Sequence, residues 1–262
     1  MTVLKCITGT TDPFMKEHGF KRKGFVYYRL NGDVIQGVSV IKRNFAISIE
    51  VCCIPKYNDL GEYLFKPVDA WIHNNCICSI YRVEDFDTFV EGVTDQYIIN
   101  VTNRIFNYFT ENVFSIIDKV DTIAACNDLY SRVKSGEISA IIDSDLRFQI
   151  YNREHELYKL YEDYFAGKKW EEIKDNYDEW INSLLIDSEE FYKERALKLS
   201  GLPKDIRDAF VPEIMKDLPF LYMVKLFFDI TESESLEPIK EYIDRLYNEN
   251  KTLFKKYLNF DI

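Results

Sequence analysis

The chain has 262 residues, of which 47% are hydrophobic and 29% are charged, and its formal net charge is −11. This composition is typical of folded globular proteins and excludes an intrinsically disordered chain. The first residues lack the apolar core of a secretory signal, and no apolar run is long enough to cross a bilayer. We therefore expect a cytoplasmic protein with no membrane association, whose six cysteines are reduced.

The negative charge is concentrated in the second half of the chain. Residues 1–120 carry 13 Lys and Arg against 14 Asp and Glu, whereas residues 121–262 carry 20 against 30. An acidic surface repels phosphate backbones and attracts basic proteins. We therefore expect a basic protein, and not nucleic acid, as the partner of this half. The sequence indicates no cofactor and leaves the oligomeric state open.

The N-terminal half has the pattern of a helix followed by an antiparallel sheet. Residues 3–18 have helical spacing, although Pro13 favours a start near residue 12, and Gly19 ends the helix. Asn31-Gly32 is a strong signal for a two-residue hairpin turn. Strands are predicted at residues 25–30, 34–41, 45–54 and 76–83, and Ser48 and Glu50 lie on the polar face of the third. The predicted fold is α+β, with a three- to four-stranded antiparallel meander packed on helices.

The second half has helical periodicity throughout. A helical stripe begins near residue 86 and continues to Tyr108. Further helices are predicted at residues 121–134, 145–165, 170–185, 188–199, 212–228 and 235–250. The charge balance shifts near Ser135-Gly136. We therefore expect an α+β domain at residues 1–134 and an acidic, all-helical region at residues 135–262.

Four short motifs of the first half occur together in one known family. They are Gly19-Phe20-Lys21-Arg22-Lys23-Gly24, Tyr27-Tyr28-Arg29, Gly32-Asp33-Val34-Ile35-Gln36 and Glu111-Asn112-Val113-Phe114-Ser115-Ile116-Ile117. With these motifs, residues 1–134 resemble the bacterial domain-of-unknown-function family 4304. The resemblance implies an α+β fold. It implies no catalytic residue, because that family has no assigned activity.

Lys21, Arg22, Lys23 and Arg29 belong to the one basic cluster that the sequence shows. Basic side chains beside aromatic residues hold single-stranded nucleic acid and other anions. A solvated turn whose aromatic neighbours pack inward explains the same pattern, and the acidity of the chain favours that explanation. We keep these four residues as the candidate contact for an anion or a partner.

A second candidate is the His-x-x-Cys-x-Cys pattern of His73, Cys76 and Cys78. Structural zinc sites prefer gaps of two to four residues between their thiolates, and this pattern has a gap of one. Buried cysteines that act as small hydrophobic residues explain it equally well. We predict no metal site, and the sequence leaves open whether these three residues ever bind one.

The leading functional hypothesis is a non-catalytic protein-binding module. No nucleophile signature, metal motif or Gly-rich phosphate loop stands out, so we expect no catalysis. Such a module would present an acidic, aromatic-bearing surface to a basic partner, and a toxin-neutralising immunity protein is one version.

Two alternatives stay open. One is an enzyme of unrecognised class with a cleft between sheet and helices, where Tyr27, Tyr28 or Arg29 would act with His73 or Cys78. The other is a weak binder of nucleic acid or another anion through Lys21–Lys23. A shared polar cleft would favour the first alternative, and convergent cations would favour the second.

Overall fold

A computed structural model describes residues 2–43, 46–81, 94–138, 146–148, 153–200 and 218–262 of the chain. It has an α+β fold, with an antiparallel sheet and a helical C-terminal region. The chain divides into a sheet unit, Met1–Tyr158 with Glu249–Ile262, and a helical unit, Lys159–Asn248. The sequence analysis placed a boundary after residue 134. The two compact units have other bounds, because residues 135–158 and 249–262 belong to the same unit as the sheet.

The sheet unit contains a meander in which each strand pairs antiparallel with the next along the chain. The strands are β1 (Lys21–Lys23), β2 (Val26–Asn31), β3 (Val34–Arg43), β4 (Ala46–Pro55), β5 (Cys78–Tyr81) and the short β6 (Leu146–Phe148). β3 and β4 have ten residues each and pair along their whole length. The predicted antiparallel meander is confirmed, and it has more strands than the three or four expected.

The two strands that the sequence analysis missed are short and lie at the edges of the sheet. The Lys-Arg-Lys sequence of β1 has no alternation of apolar residues, so it carries no strand signal. It pairs with β2 because Gly24, at φ 62°, reverses the chain and sets Lys23 opposite Val26. β6 lies within the helix predicted at residues 145–165, so that prediction was wrong for residues 146–148. Its Leu146 pairs with Ile80 of β5, a partner distant in sequence.

The helices of the sheet unit are α1 (Val3–Glu17), α2 (Ala70–Asn74), α3 (Asp95–Tyr108), α4 (Ser115–Ile117) and α5 (Ile123–Lys134), and the π-helical Phe109–Phe114 joins α3 to α4. α1 begins after Thr2 and passes through Pro13, so the expected start near residue 12 was wrong. Proline removes one hydrogen bond of a helix. The buried stripe that includes Ile7 and Met15 holds α1 together across this break, because tertiary packing supplies most helix stability.

The C-terminal helices are α6 (Leu157–Phe165), α7 (Trp170–Ile173), α8 (Asp178–Ser200), α9 (Leu218–Ser233) and α10 (Glu237–Leu258). α8 merges two predicted helices. Ser188 was expected to begin the second one, but its Oγ donates to the Leu185 carbonyl at 2.8 Å and so continues the helix. Within the described ranges, no helix is both long and apolar enough to cross a membrane.

Different elements cover the two faces of the sheet. On the α1 face, the Gln36 amide donates to the carbonyls of Ile117 and Val120 at 2.6 and 2.9 Å. On the opposite face, which we call the α2 face, the Tyr28 hydroxyl donates to the Leu258 carbonyl at 2.8 Å. Trp71 of α2 packs so closely on this face that a Cβ on Gly37 would lie 2.5 Å from its ring. Because successive side chains of a strand point to opposite faces, each strand residue of this sheet lies on either the α1 face or the α2 face.

Candidate functional site

Arg29 lies inside the sheet unit, on the α1 face of β2, and its side chain is only 11% exposed. Its guanidinium donates at 2.8 Å to Gln36 Oε1, to the His18 carbonyl and to Asp118 Oδ1. The planar fork of an arginine suits three such partners better than a lysine would. Arg29 therefore ties the end of α1 to the residue that follows α4.

The four short sequence motifs of the first half of the chain all contribute residues around this guanidinium. The rings of Phe20 and Phe114 lie 4.6 and 5.5 Å from Arg29 Cζ, within range of cation–π attraction. Gln36 accepts from Arg29 and in turn donates to the Ile117 carbonyl. Segments that are distant in sequence thus meet in one hydrogen-bonded cluster. These contacts give the motif residues Phe20, Arg29, Gln36 and Phe114 a structural role.

The three basic residues of β1 are exposed on an edge strand, and each contacts a partner in the sheet unit. Lys23 Nζ donates to the Tyr257 carbonyl in the last turn of α10, where a cation is favourable. Lys21 Nζ lies 5.0 Å from the centre of the Phe260 ring. Arg22 Nε lies 3.1 Å from Asp12 Oδ1. Charged edge strands also discourage pairing with a second sheet.

The four candidate cations are divided between the two faces of the sheet. Lys21 pairs with Tyr28, which belongs to the α2 face, and Lys23 follows the same alternation. Arg22 is on the α1 face, as is Arg29. No single small anion can contact all four side chains in this arrangement.

His73, Cys76 and Cys78 are also separated. His73 Nδ1 lies 3.0 Å from Glu50 Oε2 on the α2 face, whereas Cys78 pairs with Val51 on the α1 face. Cys76 Sγ donates to the Cys78 carbonyl at 3.0 Å. In the part of the chain that the structure describes, no group of three His, Cys, Asp or Glu residues is placed to hold a metal ion. The residues that the enzyme alternative would use likewise lie on both faces.

Burial makes the cysteines of the sheet and of α5 poor nucleophiles and poor metal ligands. Burial raises the pKa of Cys53 to about 12, and it holds the pKa values of Cys52, Cys78 and Cys126 well above the ordinary thiol value. These thiols are therefore protonated near neutral pH, whereas the thiolate is the reactive and metal-binding form.

A buried polar row on the α2 face surrounds Glu50. Ser39 lies opposite Glu50 on β3, and Ser48 precedes it by two residues on β4. Both serines are buried, and neither hydroxyl oxygen has a hydrogen-bond partner in the described part of the chain. The strand alternation correctly put Ser48 and Glu50 on one face. It did not predict their burial, which depends on elements elsewhere in the chain.

Exposed apolar side chains are concentrated in the helical unit. Six large apolar side chains among the described residues are 36% to 60% exposed. Five of them lie in this unit, namely Phe165, Ile186, Tyr192, Tyr222 and Phe228, and the sixth is Leu30 in the sheet unit. The helical unit also has 13 Lys and Arg against 21 Asp and Glu, a net charge of −8. Its surface thus combines negative charge with aromatic and aliphatic groups.

A groove of about 340 Å³ lies between α9 and α10 in the helical unit. Leu226 and Tyr242 line it and are almost fully buried, whereas Tyr222 is 42% exposed. Arg245 Cζ lies 4.3 Å from the centre of the Tyr222 ring and 5.2 Å from that of Tyr242. The groove therefore combines apolar lining side chains and one stacked guanidinium with further charged side chains of both signs.

The sequence analysis missed this groove, although a signal for it exists. The lining residues follow the spacing of one helix face, with positions 222, 225, 226 and 229 on α9 and positions 238, 241, 242 and 245 on α10. Amphipathic spacing predicts that a face is buried or bound. It does not say which two faces meet.

A second cleft, of about 360 Å³, has a different character. It is lined by charged residues that include Lys168 and Glu237. Lys168 Nζ lies 2.6 Å from the buried Asp163, which also accepts from the Tyr177 hydroxyl at 2.8 Å. Burial and this carboxylate raise the pKa of Tyr177. The network is satisfied internally and stabilises the turn between α6 and α7.

No family model, curated protein or solved structure matched the chain. The candidate residues of the sheet unit are buried or contact partners within that unit. The helical unit presents five of the six exposed large apolar side chains found among the described residues.

Proposed function

We propose that the protein is a non-catalytic binding module that engages a basic protein partner through its helical unit, Lys159–Asn248. The observation that carries this proposal is the coincidence, in one unit, of five exposed large apolar side chains with a net charge of −8. Burial of exposed apolar groups drives association, and aromatic residues are enriched at interfaces. The negative charge would select a basic partner and speed its approach.

The surface of α8 illustrates this combination. Ile186 and Tyr192 are exposed on a helix that also exposes Glu189 and Glu190. Glu189 pairs with Lys193 at 2.5 Å, and this carboxylate together with the charge of Glu190 raises the pKa of Lys193. A basic partner could therefore bury the apolar groups and pair with the carboxylates together.

A cytoplasmic setting is part of this proposal, because all six cysteines are free thiols and none forms a disulfide. A toxin-neutralising immunity protein is one concrete version of such a module. It would act by covering a basic surface of its target, and it would need no chemistry of its own.

The test is affinity capture from the source cell with matched variants as bait. The double variant Ile186→Ser/Tyr192→Ser removes two exposed apolar groups of the helical unit, and Leu30→Ser removes the exposed one of the sheet unit. We expect wild type and Leu30→Ser to retain the same basic protein in low salt and to release it as salt rises, since screening shortens from about 30 Å at 0.01 M to about 3 Å at 1 M. The double variant should retain less of it. Equal retention by all three baits, or capture of acidic proteins only, would contradict the proposal.

A further inference from the structure

β1 (Lys21–Lys23) forms one edge of the sheet, and part of its backbone points away from the sheet. The Phe25 carbonyl accepts from the Val40 N–H at 3.0 Å, so residues 25, 27 and 29 bond to β3. Arg22 lies opposite Tyr27, so its own N–H and carbonyl point away from β2. No described residue bonds to either group. The outer edge of β1 therefore offers one backbone donor and one backbone acceptor to another chain.

The two lysines of β1 keep their positive charge on the α2 side of this edge. Lys21 Nζ lies 5.0 Å from the centre of the Phe260 ring, and Lys23 Nζ donates to the Tyr257 carbonyl. Neither a ring nor a carbonyl neutralises an ammonium group. Within the described ranges, no carboxylate lies at ion-pair distance from either lysine. Both charges are therefore available to a carboxylate of another molecule.

On the α1 side of the edge, two cations share one carboxylate. Arg22 Nε and Lys16 Nζ lie 3.1 and 3.9 Å from the two oxygens of Asp12. The Lys16 side chain is 72% exposed. One carboxylate cannot neutralise two cations, so this side of the edge also keeps a positive charge.

The end of α10 adds further positive charge near Lys21. Lys255 Nζ lies 2.8 Å from Asp261 Oδ2. The hydrogen bond and charge of Lys255, together with the charges of Lys21 and Lys251, lower the pKa of Asp261. A lowered carboxyl pKa is the effect of neighbouring cations. Cations of α1, β1 and α10 thus converge beside one edge strand.

Protection of the edge explains only part of this arrangement. Lysines on an edge strand discourage pairing with a second copy of the same edge, since like charges would then lie opposite one another. The cations of α1 and α10 are not needed for that purpose. The same charges stabilise an added strand that carries glutamate or aspartate, because opposite charges across two strands attract. Unpaired backbone groups select an extended polypeptide, and the positive charge selects an acidic one.

We propose that β1 is a strand-addition site for an extended, acidic peptide segment of a partner protein. The segment bonds to the N–H and carbonyl of Arg22, and its alternate carboxylates face Lys21 and Lys23. This site lies in the sheet unit, so the inference goes beyond the proposed function, which concerns the helical unit, and does not depend on it.

The test titrates a synthetic peptide of alternating threonine and glutamate into the isotope-labelled full chain, followed by NMR at low salt. We expect the β1 amide signals to shift and hydrogen exchange of the Arg22 amide to slow, because its N–H gains a partner. Lys21→Gln/Lys23→Gln should weaken binding about fivefold, which is about 1 kcal/mol at about 1.4 kcal/mol per tenfold. The matched control is Lys5→Gln/Lys119→Gln, which removes two exposed lysines of the same unit that lie outside β1. It should change the affinity less than about twofold.

Three further ligands separate the outcomes. The same peptide with an N-methylated backbone keeps the charge and loses the N–H donors, so it should bind more weakly, and equal binding overturns strand addition. A threonine–lysine peptide should not bind, which tests the charge without any substitution in the protein. Tighter binding of a thymidine oligonucleotide of equal charge would assign these cations to nucleic acid and overturn the choice of an acidic peptide. No binding of the first peptide, or an equal loss in both double variants, overturns the site itself.

Discussion

Substitution of Arg29 by methionine removes a guanidinium that joins three segments of the sheet unit. The side chain is 11% exposed and donates at 2.8 Å to Gln36, to the His18 carbonyl and to Asp118. Methionine preserves the apolar packing of the stem, because the aliphatic part of arginine fills similar space. The change therefore isolates the hydrogen bonds and the charge.

The size of the effect follows from what the substitution leaves behind. Gln36 Oε1 and the partly buried His18 carbonyl lose this donor, and each acceptor left unsatisfied costs about 1–3 kcal/mol. The attraction to the Phe20 ring adds about 0.5–1 kcal/mol. Asp118 is half exposed and is solvated after the change, so it adds little. We expect the free energy of unfolding to fall by about 2.5–7 kcal/mol, the sum of these contributions.

Urea unfolding followed by circular dichroism measures this loss, and hydrogen exchange of the β2 and β3 amides locates it in the sheet. Arg22→Met is the control, because Arg22 is more exposed and pairs with Asp12 at the sheet edge. Its loss should stay below about 1 kcal/mol, the range for exposed ion pairs. If Arg29→Met costs no more than this control, the enclosed role that we assign to Arg29 is refuted. A folded Arg29→Met protein that loses partner binding would instead make Arg29 a contact residue.

Three further predictions concern the sheet unit. Gly32→Ala should lower the melting temperature more than Gly24→Ala. Both glycines have positive φ, 59° and 62°, but a Cβ on Gly32 would lie 2.1 Å from the Asp121 carbonyl oxygen, whereas a Cβ on Gly24 would meet open space. Equal decreases in melting temperature would contradict the close approach of Asp121 to Gly32. Cys53 and Cys126 should resist alkylation by iodoacetamide at pH 8 in the folded protein and react in guanidinium, because burial raises the pKa values of both thiols. Mass spectrometry measures the extent of alkylation. Alkylation of the native protein as fast as that of the unfolded protein would show that the thiols are accessible. Contacts with His155 and then Lys134 lower the pKa of Glu156 from its ordinary 4.5 to about 2, so its contribution to stability is present above pH 4.5 and is lost as the pH falls toward 2. Glu156→Gln should therefore flatten the pH dependence of unfolding over that window, and a profile parallel to that of wild type would count against the assignment.

Local sequence signals predicted the elements whose geometry is set locally. Asn31-Gly32 predicted the β2–β3 hairpin, which is present, but Asn31 pairs with Val34, so the two turn residues are Gly32 and Asp33. The alternation of β4 correctly separated Ser48 and Glu50 from the apolar residues between them. The conformation of residues with a strong local preference can be predicted from a single sequence, because it depends mainly on their neighbours in the chain.

Elements that depend on distant partners could not be predicted in this way. β1 and β6 are three residues long, and each exists as a strand through the neighbour that it pairs with. Ser188 carries the signal of a helix start, yet α8 continues through it because its hydroxyl bonds back to the Leu185 carbonyl. The same short sequence can therefore form a strand or a loop, or begin or continue a helix, and packing against distant residues determines which structure forms.

The same limit applies to the candidate site. The sequence shows the positive charges at positions 21–23 and 29, but only the fold shows that Arg29 is enclosed and that Lys21 and Arg22 lie on opposite faces. The alternation of β2 gave a hint, since Arg29 shares the face of Tyr27, two residues away. In the groove, Tyr222 and Arg245 meet through the pairing of two helices, which no local pattern specifies.

The meander also sets the order in which the sheet can assemble. β1 to β4 all lie within residues 21–55, a stretch of 35 residues, whereas 64 residues separate β5 from β6. The entropic cost of closing a loop grows with the logarithm of its length, so joining β6 to β5 costs about 3 kcal/mol more than closing the two-residue hairpin. We therefore expect β1 to β4 to pair in their native register early in folding, and β6 to pair with β5 later. The acidic helices would then be added to a scaffold whose strands are already paired.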